Sequence, residues 1–212
     1  MRGHKLLVLV VVIGVLALLP AKASATPFGV EWNGGVFTIE LIGDGQDTGT
    51  WTGTSFIIEY TADLTNFTGD EGSQLFMYGI GFRPTSDHIS SGSVVPADWS
   101  FFNNELSANG CASGSDSFAC ASTWNGSIMT ATARPTTETI YVWTFTLNYD
   151  HVVTVNLEGQ SIKAAFSRDA EGKYQTGLMS LTTTRRQVPE PTSMMLLGLG
   201  LLGAGFASRR RR

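Results

Sequence analysis

Between residues 141 and 149 every second side chain is large and apolar: Tyr141, Trp143, Phe145, Leu147 and Tyr149 alternate with Val142, Thr144, Thr146 and Asn148. A period of two sends one set to each side of an extended strand, whereas a helix would scatter the same residues around its axis. The alternation recurs. Phe37, Ile39 and Leu41 alternate with Thr38 and Glu40, and Phe56, Ile58 and Tyr60 with Ile57, Glu59 and Thr61. Further on, Val153, Val155 and Leu157 alternate with Thr154 and Asn156, and Ile162, Ala164 and Phe166 with Ser161, Lys163 and Ala165. Leu75 to Phe82, Ile128 to Ala133 and Leu178 to Thr184 are weaker candidates for strands. Each strong run is a half-buried strand with one face in a core.

Glycine, Asn and Asp separate these runs, at Asn33-Gly34-Gly35, Gly43-Asp44-Gly45, Gly69-Asp70-Glu71-Gly72, Glu158-Gly159 and Ala170-Glu171-Gly172. These residues supply the positive φ that hairpin turns need. Eight or nine short strands joined in this way predict an all-β, antiparallel β-sandwich of jelly-roll or Ig-like type. The irregular stretch from Pro84 to Trp124 is expected to form loops or a short helix across one end. It contains both cysteines, Cys111 and Cys120. In an oxidising compartment these would pair across a loop of about ten residues and pin it. Two cysteines are too few for a disulfide scaffold, and 42% hydrophobic with 10% aromatic residues is too apolar for a disordered chain.

The two ends are of another kind. Arg2, His4 and Lys5 precede an apolar run from Leu6 to Leu19, and Ala23-Ser24-Ala25 follows Pro20. This is the pattern of a secretory signal peptide over residues 1–25, directed to the Sec translocon and cut by signal peptidase after Ala25, with Ala23 and Ala25 as the small residues of the site. At the other end Val188-Pro189-Glu190-Pro191 leads into an apolar segment from Thr192 to Ala207, then Ser208 and Arg209, Arg210, Arg211 and Arg212. Sixteen helical residues span about 24 Å, enough to cross a locally thinned bilayer with the arginines as a cytoplasmic stop. The segment between them, residues 26–187, is the soluble domain. Counted from 26 to 191, seven basic side chains face eighteen acidic ones, a net charge of −11. Such a domain repels nucleic acid and anionic membrane, and is expected to need divalent cations to meet other polyanions.

The order Pro189-Glu190-Pro191, Leu/Gly-rich helix and terminal arginine cluster resembles the PEP-CTERM sorting tail of exported bacterial proteins, over residues 188–212. The resemblance implies recognition by a membrane-embedded exosortase that cuts near the tripeptide. It also implies a protein that is transiently anchored in the membrane and then passed to the cell surface or to the extracellular matrix of a biofilm. Two prolines fit that use, since they forbid helix and hold the segment extended.

Nothing else in the chain forms a chemical motif. Residues 26–187 hold two histidines, His88 and His151. His88 reads as a solvated loop residue and His151, after Asp150, as a hairpin residue between two strands. There is no G-x-S-x-G, H-E-x-x-H, CxxC or P-loop, so no enzyme, metal centre or cofactor is expected. Asp44 with Asp47, or Asp63 with Asp70 and Glu71, offer loop oxygens for calcium but lack the spacing of a known calcium loop. Trp143 belongs to the core. Trp32, Trp51, Trp99 and Trp124 fall at strand ends or in loops, where indole faces can stack on sugars of an extracellular polysaccharide. A structural or adhesive surface protein is therefore the leading expectation, and a carbohydrate-binding module the alternative.

Overall fold

The computed structural model describes residues 27–42, 50–69, 74–123, 133–136, 140–170 and 175–186. The expected signal segment and sorting tail lie outside the described residues, as do Trp124, Asp44, Asp47, Asp70, Glu71 and all of Ile128 to Ala133 except Ala133 itself. Among the described residues every regular element is a strand: β1 (Phe28–Trp32), β2 (Gly35–Ile42), β3 (Thr50–Asp63), β4 (Phe76–Phe82), β5 (Ser91–Val95), β6 (Ser100–Phe102), β7 (Glu105–Ser107), β8 (Gly110–Ser113), β9 (Ala119–Ser122), β10 (Arg134–Pro135), β11 (Ile140–Asn156), β12 (Ser161–Ser167), β13 (Gln175–Thr182) and β14 (Thr184–Arg185).

All pairings are antiparallel. One sheet runs β14-β1-β2-β3-β11-β5, and a second runs β13-β12-β4-β9-β6 with β10 also on β4. The chain crosses between them from β3 to β4 and again from β11 to β12, so β3 lies beside β11 in one sheet and β4 beside β12 in the other. The order β2-β3-β11-β5 facing β13-β12-β4 follows the four-against-three strand order of Ig-type sandwiches, with β6 to β9 added in the middle. No helix crosses the end of the sandwich between Pro84 and Thr123. That stretch instead supplies β5 to β9, short strands whose backbone groups complete sheet edges.

The alternation seen in the sequence builds the core. Phe37, Ile39 and Leu41 of β2, Phe56, Ile58 and Tyr60 of β3, and Trp143, Phe145 and Leu147 of β11 are all buried and form one cluster with Met77, Ile80, Phe82, Ile162, Ala164 and Phe166 of the second sheet. Edge-to-face contacts order it: Phe82 meets Phe145 at 5.0 Å and 88°, and Tyr60 meets Trp143 at 6.0 Å and 81°. The Tyr60 hydroxyl donates to the carbonyl of Lys163 at 3.0 Å, so the one polar atom of that ring is satisfied across the sheets.

The expected strands 141–149 and 153–157 are a single strand, β11. Asn148 pairs with Ser55 and Val153 with Gly53, so residues 149–152 bulge out opposite Thr54. His151 therefore sits in a β-bulge and not in a hairpin. Asp150, His151 and Val152 are all exposed there, while Tyr149 and Val153 on either side remain buried. The true hairpin between β1 and β2 is the expected one. Asn33 (φ 48) and Gly34 (φ 77) take the paired positive φ of a type I′ turn, and a Cβ on Gly34 would lie 2.0 Å from the Asn66 carbonyl oxygen.

Along β4, β9 and β12 the second sheet is buried on both faces. Its inner face meets the first sheet; its outer face lies under the β7–β8 hairpin. Leu106 of that hairpin rests on Gly79 and Gly81, where an added Cβ would stand 2.8 Å from its Cδ1 and 3.2 Å from its Cβ. Leu106 joins Tyr78, Ala165, Ala133, Cys111 and Cys120 in a second small core. The Tyr78 hydroxyl donates to the Ala108 carbonyl at 2.6 Å. Lys163, 7% exposed, donates through Nζ to Glu105 and to the Leu106 carbonyl, with the Phe118 ring 5.3 Å away. The disulfide between Cys111 of β8 and Cys120 of β9 then ties the hairpin to the sheet. The bond does more than pin a loop: it fastens a third layer.

Closing that ten-residue loop is worth roughly 2.7 kcal/mol by chain entropy. Replacing both Cys111 and Cys120 by Ala should lower the unfolding free energy by about that amount, measured from urea midpoints at constant m-value, with hydrogen exchange rising first in residues 105–113.

Candidate functional site

The residues expected to act are spread over three places, and the folded domain does not gather them. Trp32 ends β1, where it leans on Phe166 at 5.3 Å and Phe67 at 5.8 Å; Phe67 itself stacks on Phe166 at 12°. Trp51 begins β3 opposite Val155 and is half-buried against the main core, its Nε1 buried without a hydrogen-bond partner among the described residues. The register places Trp32 level with the end of β3 near Asp63, twelve residues from Trp51. At about 3.4 Å per residue the two indoles lie about 40 Å apart along the sheet, too far to share one sugar chain's footprint as a single platform.

Trp99 corrects the sequence reading. It is 2% exposed and packs against Trp143, ring centres 4.8 Å apart, so it offers no face to a ligand. It does lie in a loop, between β5 and β6, but the turn at Pro96-Ala97-Asp98 folds it inward: its backbone N–H donates to the Pro96 carbonyl at 3.2 Å. Trp143 is core, as expected.

The two histidines each face an aspartate. His88 is about half exposed, with Nδ1 2.9 Å from Asp116 Oδ2. The bulge presents His151 so that Nε2 stands 3.5 Å from Asp87 Oδ1. Thr85 donates to the other oxygen of Asp87 at 2.7 Å, and this hydroxyl, with His151 after it, holds the Asp87 carboxyl below its ordinary range. The hydroxyl proton is thus committed to the carboxylate. A nucleophilic triad needs the hydroxyl on the imidazole, and Thr85 is not there. Asp63 likewise accepts from the N–H and hydroxyl of Thr65, at 3.0 and 2.6 Å, as an Asx turn. Among the described residues no three His, Cys, Asp or Glu side chains come together, and no helix is long and apolar enough to cross a membrane.

One arrangement the sequence did not announce concerns the chain ends. β14 pairs with β1, Phe28 opposite Arg185 and Gly29 opposite Thr184, and the N–H of Arg186 donates to the Pro27 carbonyl at 3.0 Å. The last described residue before the sorting motif therefore sits beside the first described residue of the chain. Thr183, 1% exposed, fixes the crossover into β14 by exchanging hydrogen bonds with Gln160 and Gly159 in the β11–β12 turn.

Residues 187–212 match the family model of the PEP-CTERM protein-sorting motif. The chain is thus an exported protein carrying an exosortase sorting signal, which anchors it transiently in the membrane before processing. No curated protein and no solved structure matches the chain.

Three buried tyrosines give the domain an alkaline limit. Burial pushes the hydroxyls of Tyr60, Tyr78 and Tyr149 well above the ordinary tyrosine range. The folded chain keeps protons that the unfolded chain releases above pH 10, so stability is complete below that pH and falls as pH rises past it. Urea midpoints should decline steadily from pH 10 to 12, and the phenolate absorbance of these three rings should appear only as the domain unfolds.

Proposed function

We propose that the protein is a non-enzymatic component of the cell surface or extracellular matrix, structural or adhesive in role. An N-terminal signal peptide delivers it through the Sec translocon, and an exosortase releases it from its C-terminal anchor. The observation that carries this reading is the sorting motif at residues 187–212, placed directly after the last strand of an otherwise complete β-domain. The described strands are the cargo; the motif is the address.

An adhesive role draws on the outer face of the first sheet. Ile42 and Ile57 face each other across β2 and β3, and Val142 and Val95 lie on neighbouring strands of the same face, all exposed among the half-buried Thr38, Thr61, Thr144 and Thr146. Ground of this kind, apolar and hydroxyl-bearing with Glu40 opposite Glu59 between the isoleucines and the threonines, suits contact with a polymer surface more than capture of a small molecule. Sorting is tested by replacing Pro189, Glu190 and Pro191 with alanine. Precursor of full mass should then accumulate in membranes and the processed form should vanish from the surface and matrix. Unchanged mass and release would remove the sorting reading.

Carbohydrate binding is the second reading, favoured by the part-exposed rings of Trp32 and Trp51. Because the two stand at different ends of the sandwich, each is its own subsite. If glycan binding is saturable, Trp51→Ala or Trp32→Ala should weaken it by about tenfold, about 1.4 kcal/mol, in isothermal titration with matrix polysaccharide; an unaltered isotherm for both variants would leave adhesion through the sheet face.

A further inference from the structure

The sorting tripeptide follows the folded domain closely in sequence. Arg186 is hydrogen-bonded to Pro27, and only Gln187 and Val188 separate it from Pro189. Three residue steps of fully extended chain span about 10 Å. An enzyme that takes its substrate as an extended strand contacts residues on both sides of the bond it breaks. Upstream of Pro189 those residues are Thr184 to Val188, and the first three of them are already held against β1.

That hold is slight. β14 has two residues, both exposed, at the edge of its sheet. Its pairing with β1 covers two register positions, extended by the single bond from Arg186 to Pro27 and a long 3.4 Å contact from the Thr184 hydroxyl to the Gly29 carbonyl. Arg185 lies over the Phe28 ring at 5.6 Å. Docking also has a cost: Nη1 of Arg186 is buried with no hydrogen-bond partner among the described residues. An unpaired buried donor on a cation disfavours the docked state and is relieved on release to water. The firm anchor lies one residue upstream, at buried Thr183, so the strand can peel back to that point while β13 stays in place.

We propose that β14 is a detachable strand, and that Thr184, Arg185 and Arg186 leave β1 to become the upstream part of the segment the sorting enzyme binds. The idea rests on the sorting reading above and adds a condition to it: cutting waits on the release of β14, so the folded domain sets the pace of its own processing. The cut itself belongs to the enzyme.

The test is a cross-link in the full-length precursor, in cells that carry the sorting enzyme. Pro27 and Arg186 stand opposite one another in antiparallel register, a separation a disulfide can span. Pro27→Cys together with Arg186→Cys should lock β14 to β1 after export, and pulse-chase labelling reads conversion of precursor to processed protein. The locked precursor should convert at least tenfold more slowly than either single-cysteine variant. Insertion of six Gly/Ser residues between Gln187 and Val188 should restore the rate in the locked protein by moving the tripeptide away from the edge. Conversion of the locked form at the single-variant rate overturns the proposal, and so does a slow rate that the insertion fails to rescue. The two readings fail separately. Conversion that ignores replacement of Pro189 to Pro191 sinks sorting itself; conversion that needs the tripeptide but ignores the cross-link sinks only the detachable strand.

Discussion

The pairing of β3 with β11 is the constraint on which the rest of the domain depends. It runs from Ile140 opposite Asp63 to Asn156 opposite Thr50 and places six large buried side chains, Phe56, Ile58, Tyr60, Trp143, Phe145 and Leu147, on one face. Each contributes roughly 1.5–3 kcal/mol by leaving water, so the set is worth on the order of 10 kcal/mol. A slip of one residue by either strand would turn its three outward, a loss of about 5 kcal/mol or more. That loss is comparable with the whole net stability of an ordinary domain, about 5–15 kcal/mol, so the register has no near competitor. The bulge at residues 149–152 then adjusts the ladder. Beyond it the inward side of β3 shifts from even to odd positions, which brings Trp51 and Gly53 onto the core face opposite Val155 and Val153.

The second sheet is stabilised differently. At its centre both faces are covered, so β4 and β12 do not alternate and are buried almost throughout. Such a strand needs small residues where the covering layer comes close, and Gly79, Gly81 and Ala165 meet that need. It also leaves Lys163 in an apolar setting, where an ammonium is tolerated only with partners. Glu105 and the Leu106 carbonyl supply them from the hairpin above, so burial of the cation and docking of the hairpin depend on each other. The disulfide reinforces a contact that is already both apolar and ionic.

How far the sequence foretold this varies with the kind of burial. Strands buried on one face were legible because β2, β3 and β11 alternate in earnest. The double-sided burial of β4 blurred that signal, β12 alternates as if half-buried although both its faces are covered, and the short strands β5 to β9 are too brief to show any period. One cue was present there: Asn109-Gly110 is a hairpin signal between Glu105-Leu106-Ser107 and Cys111-Ala112-Ser113, and it marks the β7–β8 turn. The bulge at His151 was hidden because it preserves parity, Tyr149 and Val153 being both buried and four residues apart. Among the tryptophans, Trp143 declared itself by its alternating neighbours, whereas Trp99 lies in the loop between β5 and β6, where no period operates, and is turned inward by the Pro96 turn. The sorting tail was fully legible, since its function lies in composition and order and needs no tertiary contact. The meeting of β1 with β14 could not be read, because a two-residue strand has no pattern and its partner lies more than 150 residues away.

That meeting has a consequence for how the domain can be built. With Pro27 and Arg186 joined by a hydrogen bond, the entry and exit of the folded chain are neighbours, which is the geometry that circular permutation and domain insertion require. A linker of a few residues would close the chain into a ring, and new termini could be opened at the Glu158-Gly159 turn, where a Cβ on Gly159 would meet nothing. By the same geometry the whole sandwich could be spliced into a surface loop of an unrelated protein with little strain on its host. It is a cassette: the ends that address it are separable from the body they carry.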